Sequence, residues 1–232
     1  GPHMDYQGRI GQSSTSGNNG DHGDHVAGTI MGAGNLDPSA EGMASGAFLY
    51  VYTVWDAVND APFDYYSRNV RITSTSYSNG CNAGYTNFAR TADQAVYNTP
   101  GLNHVFSAGN NGTSACTGTA NYGAGPNWGN VTGGVKVGKN VITVANLTYT
   151  DVAANSSSRG PAHDGRIKPD VSGVGTDVYS TIDVNTYGYK TGTSMSCPGT
   201  SGSLAQLYHA FKDIQGYEPD GGLMKALLMN GC

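Results

Sequence analysis

Three short segments carry residue types able to open a carbonyl–heteroatom bond. They are Asp21-His22-Gly23-Asp24-His25-Val26-Ala27-Gly28-Thr29, Val105-Phe106-Ser107-Ala108-Gly109-Asn110-Asn111-Gly112 and Gly192-Thr193-Ser194-Met195-Ser196-Cys197-Pro198. Ser194 follows Gly-Thr and opens a run with helical spacing. A helix start leaves backbone N–H groups unpaired and carries partial positive charge. Those donors can hold an oxyanion where a serine attacks a carbonyl. Pro198 suits the first turn, where a missing N–H costs little. The plainer reading of Ser194 is a helix N-cap. A serine nucleophile needs a base, and a neutral imidazole accepts a proton near pH 7. His22 is the candidate. With His25 it also forms an H-x-x-H pair, which a metal could use. The i, i+4 spacing and glutamate of the zinc-protease helix are absent. Asn110 closes a Gly-Asn-Asn-Gly turn. It is either ordinary turn chemistry or an amide donor for an oxyanion.

These residues need a scaffold, and the apolar pattern predicts one. Phe48–Val54, Val70–Ser76, His104–Ala108 and Val141–Ala145 read as buried strands. Between the second and third, residues 88, 92, 95 and 96 are apolar at helical spacing, and Pro100-Gly101 ends the run. Strand–helix–strand order predicts βαβ units and a parallel sheet. A helix is expected from about Ser194 to Phe211, interrupted by Gly199 and Gly202, and a short one carries the C-terminal apolar run 224–229. Glycine inside a helix points to a closely packed neighbour.

Composition bounds the rest. The chain has 232 residues and is 12% charged, about half the usual share of ~25%. Its 35 Gly show no three-residue period, and it has 15 Tyr. Charge-driven disorder and collagen are both excluded. No apolar run approaches the ~18 residues of a membrane span. A net charge of -5 argues against nucleic-acid binding. The four cysteines, at 81, 116, 197 and 232, form no zinc spacing. Cys81 and Cys116 lie in small-residue loops after strands and are either a disulfide or two free thiols. Cys197 reads as a small buried core residue. Gly1-Pro2-His3-Met4 reads as the remnant of an expression tag, and residues 5–232 as one domain.

Taken together and in order, the three segments resemble the subtilase family of serine proteases. His22-Gly23-x-His25-Val26-Ala27-Gly28-Thr29 resembles H-G-T-H-V-A-G-T. Ala108-Gly109-Asn110 resembles A-G-N, and Gly192-Thr193-Ser194-Met195 with Pro198 resembles G-T-S-M-A-x-P. Glu41-Gly42-Met43-Ala44, Ser157-Ser158-Arg159-Gly160-Pro161 and Lys168-Pro169-Asp170-Val171 agree as well. The resemblance implies an α/β fold with a mostly parallel central sheet flanked by helices on both faces. It implies Ser194 as nucleophile, His22 as base, His25 as structural, and Asn110 with the Ser194 N–H as the oxyanion hole. Ser76-Tyr77-Ser78 and Ser107-Ala108-Gly109 would line the substrate cleft and bind an extended peptide along strand edges.

The chain departs from the family in three places. No D-T-G or D-S-G occurs, so the first strand and the catalytic Asp are expected to be missing. Loss of that Asp costs on the order of 10⁴ in kcat, and the missing strand leaves an open sheet edge for association. The domain is thus expected to be incomplete at its N-terminus and cut short after the 224–229 run. Asp24 stands where the family usually has Thr, which is expected to raise the pKa of His22. Gly199 replaces a usual His and suggests a tighter helix–sheet contact. The expected protein is a secreted or cell-surface, bacterial endopeptidase acting on polypeptides. It needs no cofactor for chemistry, and its candidate partners besides substrate are a pro-segment or the missing N-terminal segment. Loops 35–38 and 213–220 are candidates for structural calcium. The alternative is a pseudoprotease that binds peptides without cutting them.

Overall fold

In the computed structural model, residues 3–13, 21–77, 84–113 and 127–231 are described. Ser78, Cys81, Cys116 and Cys232 lie outside them, and with them the candidate Cys81–Cys116 bridge. The chain opens with β1 (Ile10–Ser13), α1 (Asp21–Met31) and β2 (Leu49–Val51), and β1 and β2 pair in parallel. Helices α2 (Val54–Asn59) and α3 (Ala61–Arg68) lead into β3 (Ile72–Thr75), α4 (Asn87–Asn98), β4 (Asn103–Ser107), β5 (Ile142–Leu147) and β6 (Val171–Val174). Strands β3 to β6 form one parallel sheet in sequence order. An antiparallel hairpin, β7 (Val178–Ile182) and β8 (Thr186–Lys190), follows, then α5 (Thr193–Gln215) and α6 (Gly221–Asn230).

The sheet is covered on both faces, as its pattern requires. Every residue of β4 is buried, the mark of a strand sandwiched between helix layers. Its side chains alternate. Val105 joins Ile142, Val144, Cys197, Leu204 and Met224 on one side, under α5 and α6. Phe106 joins Val58, Ala92 and Val141 on the other, under α2 and α4. Helix α4 supplies Ala92 to that cluster and Ala95 to a smaller one with Ala61 and Leu102. The mixed α/β architecture is therefore the one the apolar pattern predicts.

One local expectation does not hold. Phe48–Val54 is not a buried strand. Only Leu49–Val51 is extended, all three residues are half-buried, and Phe48 is 54% exposed. The described β1–β2 pair has two strands, too few to be covered on both faces, and Thr53 starts α2 by accepting from the Asp56 N–H. His3, one of the residues read as a tag remnant, packs against the β7–β8 hairpin, while Met4 is exposed. The buried His3 ring meets Tyr187 edge-on at 5.0 Å, and its Nε2 lies 3.2 Å from the Thr186 carbonyl. Asp5 is fully buried and accepts from the N–H groups of Gly34 and Asn35 and from Tyr187 Oη.

The helix glycines also differ from expectation. At Gly199 a Cβ would meet only Thr29 Cγ2, at 4.0 Å, so no close contact explains it. At Gly202 a Cβ would stand 2.6 Å from Met43 Cβ. The close approach is therefore at Gly202, against the segment after α1. Gly199→Ala should hold or raise stability by up to about 1 kcal/mol through helix propensity. Gly202→Ala should lower it by about 1–3 kcal/mol through overpacking. Urea unfolding of both variants checks the difference in sign.

Candidate functional site

The start of α5 is built by Gly192, whose φ of 154° lets the chain turn into the helix as its N-cap. Ser194 is therefore a residue of the first helical turn and not the cap. Three N–H groups in that turn have different fates. Thr193 N donates to Asn110 Oδ1 at 3.0 Å, and Met195 N donates to the Gly192 carbonyl at 2.9 Å. Ser194 N has no acceptor among the described residues.

Pro198 lies inside the helix rather than in its first turn. Its missing N–H would have bonded the carbonyl four residues back, which is Ser194 O. That carbonyl instead accepts from Ser76 Oγ at 2.8 Å. The proline thus releases an acceptor that ties the end of β3 to the serine. Directly beneath, the buried Cys197 Sγ lies 3.7 Å from the Thr75 carbonyl and 3.6 Å from that of Val105. Burial pushes its pKa up to about 11, so it stays a thiol and packs, as the sequence suggests.

Asn110 follows β4 through Gly109. Its Oδ1 accepts from both Thr193 N and Thr193 Oγ1, at 3.0 and 3.1 Å. The same hydroxyl accepts from Gly109 N at 3.1 Å. With Oδ1 occupied twice, Asn110 Nδ2 is left as the outward donor of an exposed side chain. The turn is held from behind by Ser158, whose N–H donates to the Gly109 carbonyl and whose Oγ accepts from Asn111 N.

His22 lies in the first turn of α1 and is exposed. Helix α1 packs against α5. Thr29 faces Gly199, and the Ile30 carbonyl faces Gly202. The His22 ring makes no hydrogen bond to Ser194 or to a carboxylate among the described residues. Its pKa is lowered, first by partial burial and then by the Lys190 charge, with Asp21 opposing. The expected upward shift from Asp24 is not found. The nearby acid that acts is Asp21, itself paired with Lys190 at 2.9 Å.

His25 is fully buried, and its Nε2 lies 2.9 Å from the Val178 carbonyl and 3.1 Å from that of Gly188. It clamps the β7–β8 hairpin onto α1, so the H-x-x-H metal reading fails. No cluster of three or more His, Cys, Asp or Glu residues in metal-holding arrangement occurs among the described residues. Asp37, a calcium candidate, caps a short turn through Ser39 and accepts from Tyr179 Oη.

Of the cleft candidates, Tyr77 is 52% exposed and Ser76 is engaged by Ser194. Ser107 and Ala108 are buried. Strand β4 is interior, and Ala108 N donates to the Val144 carbonyl. These two residues offer a ligand neither a side chain nor an open strand edge. Sequence reading missed Thr193 as the holder of Asn110. Its only signal was its place between two motif residues.

A parallel sheet between two helix layers, with a serine at the head of the helix beneath it, defines a subtilisin-like α/β protease domain. The chain matches the subtilase family over residues 3–232 and belongs to it. It is 40% identical to Pyrolysin of Pyrococcus furiosus over 89 residues, which is 36% of this chain and 6% of that protein. Among solved structures, the prenylagaramide maturation protease PagA aligns with a TM-score of 0.72 at 17% identity, covering 97% of this chain and 76% of that one. The self-cleaved protease domain of PatA aligns with a TM-score of 0.72 at 19% identity, covering 97% and 81%. Family membership supports a serine protease.

Thr193→Val should cost about 1–3 kcal/mol, because it orphans the buried Gly109 N–H and removes one donor from Asn110. Thr193→Ser keeps the hydroxyl and should recover most of the loss. Thermal unfolding of the two variants side by side checks this.

Proposed function

We propose that the chain is the catalytic domain of a serine endopeptidase that cleaves extended polypeptides. Ser194 Oγ attacks the scissile carbonyl carbon while His22 accepts the hydroxyl proton. The oxygen that becomes negative sits between Asn110 Nδ2 and Ser194 N. The C–N bond breaks, the His22 proton passes to the leaving amine, and an acyl ester stays on Ser194. Water, deprotonated by His22, releases the acyl group and restores the serine. The observation that carries this reading is the Asn110 amide, turned outward by Thr193 beside an N–H of Ser194 that bonds nothing among the described residues. Export to the cell surface or medium, release from a pro-segment, and structural calcium in surface loops belong to the same proposal.

A second reading, peptide binding without cleavage, has its own support. His22 has no hydrogen bond to Ser194 and no carboxylate to fix its tautomer among the described residues. Catalytic hydrogen bonds are often loose before substrate arrives, so the reaction is favoured but slow. The expected rate is ~10⁴ below that of a complete triad.

A fluorophosphonate probe, with the adduct located by mass spectrometry, decides between them. Slow labelling confined to Ser194, abolished in Ser194→Ala and His22→Ala, is the expected outcome. Asn110→Ala should slow it further by about 10²–10³. The pKa of His22 is lowered, so the neutral base persists to lower pH than an ordinary imidazole allows. The acid limb of labelling should fall below the usual value of ~6.5. Folded protein with no adduct on Ser194 would favour the binding reading.

A further inference from the structure

Helix α1, which carries His22, is fastened to the β7–β8 hairpin by a series of polar contacts. Thr181 Oγ1 donates to the Asp24 carbonyl at 2.8 Å, and Ser180 Oγ donates to that of His25 at 3.1 Å. Tyr6 Oη reaches the same Asp24 carbonyl at 2.5 Å. Gly28 admits this approach, because a Cβ there would overlap Thr181 Oγ1. His25 Nε2 in turn meets the carbonyls of Val178 and Gly188. All these contacts begin at Asp24, beyond His22 itself.

Among the described residues, one tie to the hairpin lies ahead of His22. Lys190 Nζ, at the end of β8, stands 2.9 Å from Asp21 Oδ2, on the residue before His22. Lys190 is also four residues before Ser194, with only Thr191, Gly192 and Thr193 between them. That short path is held at each step. Thr191 Oγ1 donates to Asp177 Oδ1 and accepts from Asp177 N, Gly192 N donates to the Gly175 carbonyl, and Thr193 N donates to Asn110. The pair thus joins the segment that carries the base to the segment that carries the nucleophile. We infer that Lys190 is a positioning residue for His22, holding the first turn of α1 in register with Ser194 and setting a fixed positive charge beside the imidazole. This deepens the peptide-cleaving reading above and rests on it.

Few other charges face the ring. On α1 it meets Asp21 and, one turn on, His25, and on β8 it meets Lys190. Strand β7 and the first two turns of α5 carry no residue charged at neutral pH. Asp5, in the turn Met4–Tyr6, is engaged by the N–H groups of Gly34 and Asn35. Asp24 interacts with Asp183 and Asp21 rather than with His22. A cation favours the neutral, proton-accepting imidazole, and an anion favours the protonated one. Lys190 and Asp21 therefore pull the base in opposite directions while together they hold its turn in place. An exposed ion pair adds little to stability, so breaking it should leave the fold intact.

Three variants separate the tie from the charge. Lys190→Met and Asp21→Asn each break the pair, and Lys190→Arg keeps it. Two quantities are measured in each chain. One is the rate of fluorophosphonate labelling of Ser194 against pH. The other is the titration midpoint of the His22 Cε1 proton by NMR, assigned by its loss in His22→Ala. Both broken pairs should slow labelling on its pH plateau by about tenfold. Their midpoints should move by a few tenths of a pH unit in opposite directions, up in Lys190→Met and down in Asp21→Asn. Lys190→Arg should match the unaltered chain in both. Circular dichroism and thermal unfolding verify that the variants fold, and should Lys190→Met fail to, Asp21→Asn breaks the same tie by itself. Unchanged plateau rates, or midpoints that stay fixed or shift the same way, overturn the assignment. Ser194 labelling at one rate and one midpoint in every folded chain keeps the protease reading and removes this one. Opposed midpoints with no Ser194 adduct in any folded chain mark the failure of the protease reading instead, since Lys190 then sets His22 with no nucleophile to serve.

Discussion

The hydroxyl of Thr193 is the joint on which the site depends. It accepts from Gly109 N and donates to Asn110 Oδ1, while the Thr193 N–H reaches the same oxygen. One residue thereby locks the exit of β4 to the entry of α5. Hydrogen bonds of this kind contribute only about 1 kcal/mol each net, but leaving one buried partner unmade costs about 1–3. That asymmetry makes the arrangement rigid. The Asn110 amide has one orientation available, because reversing it would set its NH₂ group against the Thr193 N–H. The serine is placed by the same contact, being the next residue along the helix.

A second tie works through a missing donor. Pro198 cannot bond the Ser194 carbonyl, and Ser76 takes it instead. In an isolated helix an interior proline is a defect of about 3 kcal/mol. Here the freed acceptor becomes the link between the helix and the end of β3. Strand, turn and helix are thus joined at three points around Ser194. Other buried polar groups fix the loops behind the sheet. Asp93 on α4 accepts from the N–H groups of Lys139 and Asn140 and from Tyr85 Oη. It sets where the chain enters β5.

Much of this was legible in the sequence. The 88, 92, 95 and 96 spacing located α4, because a helix that buries one face must repeat near 3.6 residues. The stretch His104–Ala108, with apolar Val105 and Phe106 on opposite faces, located β4, because a strand covered on both sides is apolar on both. The motif residues His22, Asn110 and Ser194 stood out through their local context. Other features were not legible. The β7–β8 hairpin is held against α1 through the contacts of His25 Nε2 with the Val178 and Gly188 carbonyls, groups more than 150 residues apart in the chain. Phe48–Val54 has the composition of a buried strand, yet only three of its residues are extended. Gly199 and Gly202 look alike in the chain, but their neighbours come from distant segments.

The sequence by itself determined the residue types, their order and the local periods, and these follow from backbone geometry within a few turns. Those suffice for the α/β class and for the family. Tertiary structure alone decided which way the Asn110 amide faces, that Ser76 meets the Ser194 carbonyl, and that His25 is a clamp rather than a ligand. It alone set Lys190, four residues before the serine, against Asp21 at the start of the base's helix. The physical reason is the same in each case. Hydrogen-bond direction, desolvation and charge depend on groups far apart in the chain, and they acquire values only when the fold brings those groups within a few ångströms.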